Sequence, residues 1–76
     1  MSFTTYIVTT IKELRDVIED LPDDMKVEIA EGVSITATTV HELRALESFP
    51  SRYEKLRIIK PRERYPESVV KIEFAE

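Results

Sequence analysis

The stretch TTIKELR at residues 9–15 returns as TTVHELR at 38–44, with five of seven letters unchanged. No other feature restricts the fold as much, because each copy carries the start signal of a helix. In both, a threonine (Thr10, Thr39) precedes a glutamate (Glu13, Glu42) by three residues. That spacing is a capping box: the hydroxyl accepts from the third helical N–H, and the glutamate is expected to reach back to the cap's own N–H. Behind the caps run helical apolar patterns, Ile11, Leu14, Val17, Ile18 and Leu21 in the first copy, Val40, Leu43, Leu46 and Phe49 in the second. Each helix is expected to stop at a proline, Pro22 or Pro50, since proline disfavours helix in the residue before it.

Alternating strands follow both turns, KVEIA with Val27 and Ile29 and KLRII with Leu56 and Ile58. β-rich segments precede both helices, TTYIVT at 4–9 and VSITAT at 33–38. The unit strand–helix–strand therefore occurs twice, over 4–30 and 33–60, with Gly32, the chain's only glycine, at the junction as a hairpin turn. The order β-α-β-β-α-β predicts a ferredoxin-like α+β domain with both helices on one face of an antiparallel sheet. A further strand, SVVKIEF at 68–74, alternates Val70, Ile72 and Phe74 with Lys71 and Glu73. Its expected place is a sheet edge, antiparallel beside KLRII, where it could pair with a second copy of the chain. At 76 residues the whole is one domain.

Charge is unevenly distributed. Residues 1–31 hold eight acids against three bases, a net of −5, and residues 44–64 seven bases against three acids, a net of +4. Such a layout reads either as a bipolar docking surface or as solvated faces that balance each other. With no cysteine there is no disulfide framework, thiolate metal site or cysteine nucleophile, which suits a reducing compartment. The opening MSFTTYIVTT lacks the basic lead and apolar run of a signal peptide, and no segment approaches the ~20 apolar residues of a membrane span. A cytoplasmic protein without membrane contact is the expectation.

Catalytic chemistry has little to build on. His41, the only histidine, falls in the first turn of the second helix and reads as a solvent-facing residue. The carboxylate pairs Glu19/Asp20 and Asp23/Asp24 lack the spaced oxygens and glycine of a calcium loop and read as helix-end and turn residues. One glycine cannot build a phosphate-cradling loop. No catalytic residue, cofactor or metal is expected. The basic run RYEKLRIIKPRERY is the strongest binding candidate: Arg57, Lys60, Arg62 and Arg64, with Tyr53 and Tyr65 as aromatic anchors. Its first expected partner is another protein. Single-stranded nucleic acid tracked by the 52–65 segment is the alternative, because bases interleaved with aromatics follow a phosphate backbone. A small-molecule-sensing regulatory domain is a third reading, although Thr9-Thr10 stands where such domains carry a glycine.

The segment TTIKELRDVIEDLPDDMKVEI (9–29) resembles a recurrent opening of small bacterial and bacteriophage proteins of uncharacterised function. The matched positions are structural: Thr10 and Glu13 cap, Leu14, Val17 and Leu21 pack, Pro22 and Asp24 turn. The resemblance implies a phage or bacterial setting in which small acidic domains act as regulators or inhibitors of a host protein, and it carries over no functional residue.

Overall fold

The computed structural model describes residues 2–49, 55–63 and 67–75. Its elements are β1 (Phe3–Val8), α1 (Ile11–Ile18), β2 (Lys26–Glu31), β3 (Ser34–Thr39), α2 (Val40–Arg44), β4 (Lys55–Pro61) and β5 (Val69–Ala75). The protein is an α+β domain with two helices and a five-stranded mixed sheet in the order β1-β4-β5-β2-β3. All neighbouring strands are antiparallel except β2 and β5, which run parallel.

This order corrects the ferredoxin-like expectation. There the first strand of each half would lie at the centre; here β1 and β3 are the edges, and β2 and β4 lie inside. Side-chain chemistry explains the exchange. One row across the helix-covered face reads Tyr6, Ile58, Ile72, Ile29, Thr36 from edge to edge. The central three strands supply Val27, Leu56, Ile58, Val70 and Ile72, all buried, whereas β3 offers Ser34, Thr36 and Thr38 to the same face. A sheet centre closed under helices needs continuous apolar cover, and an edge does not.

β5 is likewise corrected. It does pair antiparallel with β4, but on its other side it pairs with β2, so it sits at the sheet's centre. Both its edges are occupied, and a second chain cannot add to it. Val70 and Ile72 are buried under the helices, a gain that an edge position would have forfeited.

The repeat becomes a spatial relation. Exchanging β1 with β3 and β2 with β4 maps the sheet order onto itself about β5, with strand directions reversed. The halves are thus related by a pseudo-two-fold axis through the one strand that belongs to neither. Helix starts match in detail. Thr10 Oγ1 accepts from Glu13 N at 3.1 Å and Thr39 Oγ1 from Glu42 N at 3.3 Å. The glutamates differ from the expected box: Glu13 Oε1 accepts from the Thr9 hydroxyl at 2.9 Å, and Glu42 Oε2 from the Thr38 hydroxyl at 2.6 Å. The preceding threonine, the first letter of each repeat, is what the carboxylate uses. Thr9 first and Thr10 second hold the Glu13 carboxyl below its ordinary pKa.

The arginine that ends each repeat works across the axis. Arg44 Nη2 lies within hydrogen-bond distance of the carbonyls of Ile18 (3.1 Å), Glu19 (3.0 Å) and Leu21 (2.7 Å), at the partly buried end of α1 and in the turn after it. Arg15 in turn donates to the Leu46 carbonyl just past α2. The last-turn arginine of each helix thus caps carbonyls at or just beyond the C-terminal end of the other, a cation at the negative end of the partner helix. The LPDDM turn closes the arrangement: Val40 N donates to Met25 O (3.0 Å) and His41 N to Asp23 O (2.9 Å), while the Asp23 carboxylate pairs with Arg44.

Other details are simpler. α2 ends at Arg44, well short of Pro50, which lies outside the described residues; Leu46 and Phe49 pack against the core from the segment that follows it. Gly32 has φ +63° and a Cβ there would meet nothing, so conformation alone requires glycine. A positive φ at the first central position of a two-residue turn, with Val33 at negative φ, is a type II′ hairpin joining Glu31 to Ser34.

Candidate interaction surfaces

The helix-free face of the sheet inverts the pattern of the covered one. One row across it reads Ile7, Arg57, Glu73, Ala30, Ile35, and the next Thr5, Ile59, Lys71, Glu28, Ala37. Charges of opposite sign stand side by side at the centre, with Arg57 Nη1 3.9 Å from Glu73 Oε1. Apolar side chains occupy the margins: Phe3 (56% exposed) and Ile7 (53%) on β1, Ile35 (67%) on β3, and Val33 fully exposed in the turn before it.

Both edge strands are uncharged from end to end, FTTYIV and SITATT, and neither contains proline. Natural edges are commonly blunted by lysine, proline or a bulge; these carry neither residue. The hydrogen-bond phase of each follows from its inner partner. In the two-residue hairpin Glu31 and Ser34 form the closing bonded pair, so Ser34, Thr36 and Thr38 face β2 with their backbone groups. Ile35 and Ala37 then direct N–H and C=O outward. On β1, Arg62 N donates to Ser2 O at 3.1 Å, which makes Thr4, Tyr6 and Val8 the residues bonded to β4. Phe3, Thr5 and Ile7 aim theirs away from the sheet; Phe3 stands opposite Pro61, which has no N–H to give.

The expected basic surface is brought only partly into view. Tyr53, Arg64 and Tyr65 lie outside the described residues. Arg57 and Lys60 are three apart on β4 and so point to opposite faces. Arg57 is on the helix-free face beside Glu73. Lys60 lies on the helix side with its side chain 14% exposed, paired with Asp20 and 5.9 Å from the centroid of the Tyr6 ring. Arg62 follows β4, exposed, and its Nε donates to Thr4 Oγ1 at 3.1 Å. Arg57 thus stands apart on the other face, while Lys60 and Arg62 border one small open pocket together with Thr4, Tyr6 and Asp20. Sequence reasoning passed over β1 and β3 as binding elements, although their lack of charge was in plain sight; the missing information was which strands end up at the edges.

His41 is exposed, its Nδ1 4.0 Å from Asp23 Oδ2. Among the described residues no three histidine, aspartate or glutamate side chains gather as a metal site, and no helix is long and apolar enough to cross a membrane. An open groove of about 640 Å³ lies on the helix-free face beside Phe3, lined chiefly by Ile59, Pro61, Val69 and Lys71. Comparison with protein-family models, curated proteins and solved structures returned no match.

Proposed function

We propose that the protein is a non-enzymatic protein-binding module, a small regulator or inhibitor that recruits an extended segment of its partner. The observation that carries this reading is β3: an uncharged edge that no described strand covers, with Ile35 exposed and the outward backbone groups of Ile35 and Ala37 ready for a strand. A partner strand gains main-chain hydrogen bonds there, and alternate apolar side chains on it would cover Val33 and Ile35. Nucleic-acid binding finds less support, because Arg57 and Lys60 stand beside Glu73 and Asp20. The bacterial or phage setting rests on the resemblance of residues 9–29.

The test is capture from source-organism or host lysate, split into nuclease-treated and untreated halves, by tagged wild type and by Ile35→Lys. A near-stoichiometric protein held by wild type and lost by the variant, with thermal unfolding unchanged, supports the reading. Equal retention by both, or retention of nucleic acid alone before nuclease treatment, overturns it.

A further inference from the structure

We infer that β1 is a self-association edge, on which the β1 strand of a second copy pairs antiparallel about a two-fold axis at Thr5. The inference is independent of the proposed partner site, since a dimer formed through β1 leaves β3 free at both outer ends of a ten-stranded sheet.

Three observations converge on this edge. Among the described residues, three of the five large exposed apolar side chains, Phe3, Tyr6 and Ile7, lie on this one strand. Phe3, Thr5 and Ile7 carry the outward backbone groups, and no described residue pairs with them. The strand is also self-complementary. With Thr5 opposite its own copy, both bonded pairs flanking the axis place Phe3 against Ile7 of the second copy, an aromatic–β-branched pair made twice. On the other face Thr4 meets Tyr6, also twice. No charge opposes another along the strand. The rows continue across the junction: Pro61 and Phe3 of one copy run into Ile7 of the other, and Ile59 and Thr5 meet their own counterparts.

The other self-pairing does less. Two β3 strands with Thr36 on the axis set Ile35 against Ala37, so neither side gains an aromatic contact. A head-to-tail contact of β1 on β3 would leave one free edge of each kind and grow into an open array. A six-residue edge buries less than the ~1,200 Å² of a standard stable interface, so a reversible dimer of micromolar or weaker affinity is expected.

The register gives the inference a specific test. Molar mass is measured by sedimentation equilibrium for wild type, Phe3→Lys, Ile7→Glu, Ile35→Lys and an equimolar mixture of Phe3→Lys with Ile7→Glu. Wild type and Ile35→Lys are expected to pass from monomer to dimer with rising concentration. Phe3→Lys and Ile7→Glu should each raise the dissociation constant at least tenfold. The mixture should regain a heterodimer. On one side of the axis it sets the lysine of one variant against the glutamate of the other, and on the other side it restores Ile7 against Phe3. A wild type monomeric up to about 1 mM, where the association free energy would be weaker than about −4 kcal/mol, overturns the inference. So does loss of the dimer on Ile35→Lys, growth beyond a dimer, or failure of the mixture to reassociate.

Discussion

Arg44 offers the sharpest perturbation of the fold. Its Nη2 lies within hydrogen-bond distance of three carbonyls at and just beyond the end of α1 but carries two N–H bonds, so it counts as two donors. A hydrogen bond from a charged group is worth about 1.5 kcal/mol at the low end, and carbonyls left dry cost more. The Asp23 pair is largely exposed and adds a few tenths of a kcal/mol at most, roughly as other surface pairs do. Arg44→Ala is therefore expected to cost about 2–3 kcal/mol. A domain of this size holds roughly 4–11 kcal/mol in total, so the loss is a large share of it. Arg15→Ala removes a single, solvent-exposed bond to the Leu46 carbonyl and should cost about 1.5 kcal/mol at most. Arg44→Lys should recover less than half, since an ammonium on a flexible stem cannot span the same fork of acceptors. Urea unfolding followed by far-ultraviolet circular dichroism measures all three, with the slope expected to stay constant. An Arg44→Ala protein within about 0.5 kcal/mol of wild type, the ordinary range of surface substitutions, would refute reciprocal capping. So would an Arg15→Ala protein that loses as much as Arg44→Ala.

Three further outcomes follow from the helix caps and the hairpin. Thr10→Ala and Thr39→Ala should each cost about 1 kcal/mol in the same unfolding assay; unchanged stability in both would remove the caps from the account. Gly32→Ala should cost about 1 kcal/mol or slightly more, because its φ is +63°. Gly32→Asn should cost less, and equal stability of glycine and alanine there would contradict the turn assignment. Glu13 has a folded pKa below its unfolded one, so its contribution is present at neutral pH. That contribution is lost as pH falls from the ordinary glutamate value of about 4.3 through the lowered folded one. Glu13→Gln should flatten that part of the stability–pH curve, and a curve of unchanged shape would exclude the Thr9–Glu13 contact.

Local structure was legible because its causes are local. Caps, apolar spacing and the Gly32 turn each depend on residues within a few positions, and all seven elements were located from them to within a residue or two except the ends of the helices: α1 stops at Ile18 rather than at Pro22, and α2 at Arg44. Strand order was not, because it depends on a competition among five strands for three covered places. Alternation predicts which side chains of β5 are buried but not that β5 displaces a direct contact between β2 and β4. The role of the repeated arginine was hidden for a related reason. Thr9, Thr10, Glu13 and Leu14 have explanations inside the repeat, and Arg15 has none; its acceptor is 31 residues away. A letter kept in both copies without a local use was itself the signal. The basic segment misled because counting charge along a strand adds residues that the pleat sends to opposite faces, as it does Arg57 and Lys60.

The two faces of the sheet point to how such a small domain divides its surface. Under the helices the centre is apolar and the margins polar, the pattern of a core that thins toward its edges. On the open face the centre is occupied by Arg57, Glu73, Lys71 and Glu28, and the apolar side chains sit at the margins. Alternating charge at the centre keeps that face solvated and discourages stacking of one sheet on another, which an apolar centre would invite. Among the described residues the large exposed apolar side chains lie on β1, on β3 and in the turn that leads into β3, where a neighbour can add backbone hydrogen bonds as well as contact area. The pseudo-two-fold axis makes these two edges equivalent in topology, while their sequences make them different. FTTYIV can cover its own large side chains when paired with itself, and SITATT, with one isoleucine and small neighbours, gains more from a partner that brings the larger residues.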